Sequence, residues 1–199
     1  MKIAVFGGTF NPVHKAHLKI ANEFVSLLNL DKVLIIPTFI PPHKNSTELA
    51  DGVHRLNMCK LVFVGEKFQV SDIELKRQGK SYSYETLCEL KRIYPDDELY
   101  FIIGSDMLLS FDKWYRYEDI LSMCTLCVMT RENEISSERL LKYAESVLGL
   151  KDDEIIISDS DAYEMSSTLI REKIKKNEDL SDFLTEETEN YIKENKLYV

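Results

Sequence analysis

The sequence predicts an α/β fold built as a doubly wound parallel sheet, with helices on both faces and a small C-terminal helical region. Three observations carry that expectation. Short apolar runs alternate with helix-period stretches along nearly the whole chain; the runs are rich in β-branched and aromatic residues; and 199 residues with 44% hydrophobic and 30% charged composition suit a soluble protein with one core. The expected strands are Lys2 to Phe6, Val33 to Ile36, Phe68 to Ile73, Leu99 to Ile103, Thr125 to Thr130 and Glu154 to Ile157. The expected helices cover 15 to 29, 52 to 64, 83 to 93, 106 to 121 with a break, 136 to 148, 167 to 176 and 185 to 195. This alternation is Rossmann-like and is read as one domain over 1–199, whose helical subregion begins near 165.

Composition narrows the function. Twenty-five Lys and Arg against thirty-four Asp and Glu give a net charge of −9, which opposes a broad surface for a nucleic-acid polymer or an anionic membrane but allows a small basic pocket. No run reaches the ~18 apolar residues of a membrane span, and the opening Met-Lys-Ile-Ala-Val-Phe meets Gly-Gly too soon for a signal peptide, so a cytoplasmic protein is expected. Cys59, Cys88, Cys124 and Cys127 then read as reduced thiols. A chain of this size can hold its core without a structural metal, and a homo-oligomer is compatible with the sequence.

The first strand runs into Gly7-Gly8-Thr9-Phe10-Asn11-Pro12-Val13-His14-Lys15-Ala16-His17. A glycine turn between a strand's carboxyl end and a helix lets backbone N–H groups and the helix dipole meet an anion. His14 and His17, three apart, share one helical face beside that turn. A plain turn with surface histidines is the simpler alternative. Two of the chain's four histidines nevertheless fall in the first βα turn, where open α/β sheets bind ligands, and no further residues stand at a chelating interval.

Two tempting motifs fail. Gly79-Lys80-Ser81 would need a glycine at position 74 to be a P-loop, and Glu74 stands there. Cys124-Thr125-Leu126-Cys127 lies in a strand pattern, where residues three apart face opposite sides of the sheet, so the sulfurs do not converge. Arg131 follows a strand end and is a candidate for added positive charge, with a surface arginine as the alternative. His54 and Arg55, which open the helix after a proline-rich stretch, receive no role.

The Gly-Gly-Thr-Phe-Asn-Pro-x-His segment resembles the H-x-G-H signature of the nucleotidyltransferase superfamily, in the form carried by bacterial nicotinate-nucleotide adenylyltransferases. Ala16 stands where that signature has glycine, and Asn11 where the family has Asp. Further matches span nearly the whole chain: Pro41-Pro42-His43-Lys44, Ser81-Tyr82-Ser83, Gly104-Ser105-Asp106, Trp114, and Ser166-Ser167-Thr168-Leu169-Ile170-Arg171. The resemblance implies that Gly7, Gly8, Thr9 and Phe10 border ATP, that His14, His17 and Arg171 meet its phosphates with Ser166, Ser167 and Thr168, and that Lys44 meets phosphate groups on the mononucleotide side, with His14, His17, Lys44 and Arg171 carrying the catalysis. It further implies that Gly104 and Asp106 sit near the bound nucleotides, that backbone N–H groups of Ser81, Tyr82 and Ser83 receive the nicotinate carboxylate, and that Trp114 stacks on the pyridine. Without the resemblance, Asp106 and Ser166 read as helix caps and Trp114 as a half-core residue.

The implied reaction joins ATP, carrying Mg2+, to nicotinic acid mononucleotide, giving the dinucleotide and pyrophosphate. A related adenylyltransferase acting on the amide mononucleotide or on phosphopantetheine, and a nucleotide-binding sensor without activity, are the alternatives.

Overall fold

In the computed structural model the described residues are 1–41, 49–130, 136–151, 153–158 and 165–199. Lys44 and Arg131 lie outside them. In chain order the elements are β1 (Lys2–Gly8), α1 (Lys15–Leu28), β2 (Lys32–Pro37), α2 (Gly52–Val62), β3 (Phe68–Val70), α3 (Ile73–Arg77), α4 (Ser83–Ile93), β4 (Glu98–Gly104) and α5 (Ser105–Leu108). After a 3-10 turn at Phe111–Lys113 come α6 (Tyr117–Met123), β5 (Thr125–Met129), α7 (Ser137–Leu148), β6 (Ile155–Ser158), α8 (Ser167–Lys175) and α9 (Glu186–Glu194).

The six strands form one sheet in the order β3-β2-β1-β4-β5-β6, and every pairing is parallel. A parallel sheet has both faces covered, which is why β1, β2 and β4 are almost continuously buried rather than alternating with polar residues. Alternate residues still part cleanly. Ala4, Phe6, Val33, Ile35, Tyr100 and Ile102 face a core shared with Phe24 of α1, Met58 and Val62 of α2, Ile170 of α8 and Ile192 of α9. Ile3, Val5, Leu34, Ile36, Leu99 and Phe101 face the opposite core, with Leu87 of α4, Ile120 of α6 and Leu140 of α7. Cys127 belongs to the first core while Cys124 packs against the second, and all four cysteines are free thiols. Burial pushes the Cys124 thiol up to about 12.

One sequence expectation is corrected. The segment Phe68 to Ile73 is not one strand: β3 stops at Val70, Ser71 N–H donates to the Ile35 carbonyl at 2.9 Å, and Ile73 already opens α3. The break expected within 106 to 121 divides that stretch into α5, the 3-10 turn and α6, with Arg116 in a left-handed conformation (φ 57°) between the last two. Among the described residues, no helix is long and apolar enough to cross a membrane.

The strand order reverses direction between β1 and β4, and at such a switch point the helices leave to opposite faces and open a crevice at the carboxyl edge. Gly7-Gly8 and Gly104 end the two strands that border it. Phe24, fully buried where α1 packs on the sheet, holds one wall of that arrangement. Phe24→Ala is expected to cost about 3–5 kcal/mol of unfolding free energy, read as a lower urea midpoint at unchanged slope; a loss under 1 kcal/mol would contradict this packing.

Candidate active site

The carboxyl end of β1 is where the chemistry gathers. Gly8 is constrained sterically, since a Cβ there would stand 3.0 Å from the Phe10 ring. That ring is 2% exposed and meets the rings of Phe6 at 5.6 Å and His17 at 5.0 Å, both edge-on. Phe10 therefore contributes its side chain to the core and helps fix His17. His14 is the N-cap of α1, and its N–H donates to Nδ1 of His17 at 3.1 Å. With Nδ1 accepting, the neutral His17 ring carries its proton on Nε2, as a donor. The two imidazoles lie 3.7 Å apart, at the positive end of the α1 dipole.

The start of α8 comes to the same turn from far along the chain. Arg171 Nη1 donates to the Asn11 carbonyl at 2.8 Å, and Ser167 Oγ donates to the Pro12 carbonyl at 2.9 Å. Arg171 Nη2 reaches Thr168 Oγ1 at 3.4 Å. Ser166 is the N-cap of α8 and accepts from Leu169 N–H at 3.1 Å, so the capping role read from sequence is filled. The C-terminal region also closes over α1: Lys15 N–H donates to the Phe183 carbonyl at 2.9 Å, and Tyr198 OH donates to Asn11 Oδ1 at 2.8 Å. Asn11 Oδ1 takes a second donor, Ala50 N–H, at 3.0 Å. Its neutral carboxamide thus joins Ala50, just before α2, and Tyr198, near the C-terminus, to this turn. Ala16 is 4% exposed, so its methyl takes up little of the open surface.

Beside this turn a cavity of about 260 Å³ opens at the sheet edge. Gly7, Gly8, Thr9 and Gly104 border it from the strands, and Ser81, Tyr82, Ser83, Trp114 and Tyr115 from the helical side; the two histidines and Arg171 stand outside its lining. One face of Trp114 is stacked on Phe111 at 4.9 Å, so the indole is half-buried and rigidly backed. Asp106 does not cap α5: its carboxylate folds over Gly104, where a Cβ would stand 2.6 Å from Oδ1.

The Ser81-Tyr82-Ser83 turn offers fewer donors than the sequence suggests. Ser81 N–H donates to the Ile40 carbonyl at 2.9 Å and Tyr82 N–H to the Lys80 carbonyl at 3.1 Å. Ser83 is the first residue of α4, so its N–H is one of the helix's unsatisfied donors, and no acceptor for it is found among the described residues.

Two buried ionisable neighbours of this site carry no sequence signature. Glu74, singled out in the sequence only as the residue that breaks a P-loop, is 5% exposed and lines the cavity. Its Oε1 accepts from Thr86 Oγ1 at 2.6 Å, and Arg77 Nη2 donates to the same Oγ1 at 2.8 Å. Burial pushes the Glu74 carboxyl above the ordinary carboxylate range, against the hydrogen bonds from Ser81 and Thr86. The second neighbour is Arg55, 1% exposed, whose guanidinium bonds only main-chain carbonyls among the described residues. Neither has a local sequence signature, because their partners come from other elements.

Residues 5–173 match the family model described as cytidylyltransferase-like. The chain is 41% identical over 198 residues to the probable nicotinate-nucleotide adenylyltransferase of Clostridium tetani, covering 99% of this chain and 98% of that one. The chain belongs to the nicotinate-nucleotide adenylyltransferases. The Bacillus subtilis member of that family is 35% identical over 198 residues, again with 99% and 98% covered. In three dimensions the fold is similar to Plasmodium falciparum nicotinic acid mononucleotide adenylyltransferase complexed with NaAD, with a TM-score of 0.79 at 21% identity over 99% of this chain and 97% of that one.

The raised Glu74 carboxyl gives this adenylyltransferase a pH signature. Between the unfolded glutamate's pKa of ~4.3 and the higher folded value, the native state holds the proton more tightly, so stability falls as pH rises. Glu74→Gln removes the titration while keeping an acceptor for Thr86. Its melting temperature should approach the parent's near pH 4, gain on it as pH rises from there towards the folded carboxyl's value, and stay above it beyond. A gap that is constant or shrinks with pH, measured by differential scanning fluorimetry, would contradict the assignment.

Proposed function

We propose that this chain transfers the adenylyl group of ATP to nicotinic acid mononucleotide, forming nicotinic acid adenine dinucleotide and pyrophosphate in NAD biosynthesis. The observation that carries the reading is the meeting of the His14–His17 pair and the Arg171 turn at one helix N-terminus, next to a cavity backed by an indole. A phosphate oxygen of the mononucleotide bonds to the α-phosphorus of ATP as the bond from that phosphorus to the pyrophosphate oxygen breaks. The attacking phosphate is already ionised near neutrality, so no side chain need take a proton. The protein's task is to align two anions and to hold charge growing on the leaving group.

His17 donates through Nε2, His14 and Arg171 flank it, and Lys44 and Arg131 are assigned to the same charge by sequence alone. Gly7, Gly8 and Thr9 leave the backbone open to the nucleotide. Gly104 and Asp106 lie near the bound nucleotides, and Ser167 and Thr168 hold the Arg171 turn. Mg2+ enters on the ATP phosphates, where it offsets their charge; among the described residues no group of three His, Cys, Asp or Glu side chains is placed to hold a metal. A chain of net charge −9 can host these polyanions because the field that matters is local. The free thiols support a cytoplasmic setting.

In the cavity the pyridine lies on Trp114, with its carboxylate at the N-terminus of α4. Ser83 N–H is the donor of choice there, since those of Ser81 and Tyr82 are engaged within the chain. A helix N-terminus favours the anionic acid over the neutral amide. The purified protein with ATP and Mg2+, offered the acid mononucleotide, the amide mononucleotide and phosphopantetheine in parallel, should release pyrophosphate at least tenfold more efficiently with the acid. Equal rates with acid and amide would overturn the carboxylate assignment, and thermal stabilisation by ATP without pyrophosphate release from any acceptor would overturn the enzymatic reading.

A further inference from the structure

Arg55 is a buried cation with an unusual set of partners. Its Nη1 donates to the Thr9 carbonyl at 2.9 Å, its Nε to the Ala50 carbonyl at 2.8 Å and its Nη2 to the Phe39 carbonyl at 3.3 Å. These acceptors lie on three separate pieces of chain: the turn after β1, and the two ends of the proline-rich stretch that carries Lys44 in sequence. Each end is also held from its other side. Phe39 N–H donates to Ser81 Oγ at 2.8 Å, and Ala50 N–H donates to Asn11 Oδ1 at 3.0 Å.

One guanidinium therefore joins the phosphate turn (Thr9) to the carboxylate turn, through Phe39 and Ser81, and to the Arg171 turn, through Ala50 and Asn11. We infer that Arg55 is a positioning residue for both substrates, setting the spacing between the ATP side and the mononucleotide side of the site. This rests on the dinucleotide-forming reading above. The side chain touches neither substrate, since it lies beneath the turns whose carbonyls it holds.

The chemistry suits this task and no simpler one. Burial lowers the Arg55 pKa from its ordinary value, yet a guanidinium keeps its charge at neutrality. Its planar fork presents donors in several fixed directions, which three carbonyls from three segments require. A lysine would keep the charge but place its donors on one atom. A purely structural arginine would be replaceable, at a cost in stability alone, by other changes that weaken the packing of α2.

The test compares Arg55→Lys with Val62→Ala, a core truncation on the same helix that reaches none of the three carbonyls. Both are assayed with the parent chain for pyrophosphate release, well below their melting temperatures. Arg55→Lys should lower kcat at least tenfold and raise KM for both substrates at least threefold, while Val62→Ala lowers the melting temperature and leaves kcat and both KM values within twofold. The inference is overturned if folded Arg55→Lys stays within twofold of the parent in all three constants. It is equally overturned if Val62→Ala shows the same kinetic losses. Should Arg55→Lys fail to melt cooperatively, Ser81→Ala replaces it; that variant removes the acceptor of Phe39 N–H and should raise KM for the mononucleotide at least threefold, an unchanged KM again overturning the inference. A parent chain that makes no dinucleotide at all would fail the functional reading instead.

Discussion

A hydrogen bond between residues 160 positions apart, from Arg171 to the main-chain carbonyl of Asn11, is the contact on which the rest of the site depends. It brings the N-terminus of α8 to the turn where α1 begins, and so ties a permanent cation to the main chain that leads into His14 and His17. The sheet makes the meeting possible. Its order reverses between β1 and β4, the helices depart to opposite faces, and the carboxyl edge is left open for main-chain donors to meet a ligand. The two glycine strand ends put no side chain of their own on that edge; the Phe10 ring packs against Gly8 and the Asp106 carboxylate folds over Gly104.

The same turn is also where stability and chemistry trade against each other. His14, Asn11 and Arg55 are all polar and almost fully buried, which is costly unless each group is bonded. Asn11 uses both Oδ1 and its carbonyl, and Arg55 spends its donors on three carbonyls. Burial pushes the Glu74 carboxyl above the ordinary carboxylate range in the second wall of the crevice, next to the Ser81 turn.

Most of the architecture was legible because parallel strands buried on both faces leave unmistakable apolar runs, and because α1, α4 and α7 carry clear amphipathic periods. The failure at Phe68 to Ile73 is instructive. Phe-Gln-Val-Ser alternates like a strand, but Ser71 and Asp72 then turn the chain out of the sheet before Ile73 starts α3. Within the candidate site, the residues that the sequence singled out have motif neighbours: His14, His17, Ser167, Arg171 and Trp114 each lie in a local pattern. Arg55 and Glu74 do not, since the first bonds carbonyls at positions 9, 39 and 50, which any residue supplies, and the second acts through Thr86 and Ser81. The share of the turn's N–H groups already engaged was hidden too, because a sequence does not say which main-chain donors pair with Ile40 or Lys80.

The central claim is that the imidazole pair on α1 and the guanidinium on α8 act on one polyphosphate as a unit. A double-mutant cycle in ATP affinity, using His17→Ala, Arg171→Met and the combined variant by titration calorimetry with Mg2+ present, tests it most directly. Groups sharing a ligand and a turn should couple by at least ~1 kcal/mol, so that the combined loss departs clearly from the sum of the single losses. Strict additivity, or a single variant that binds ATP as tightly as the parent, would contradict the account.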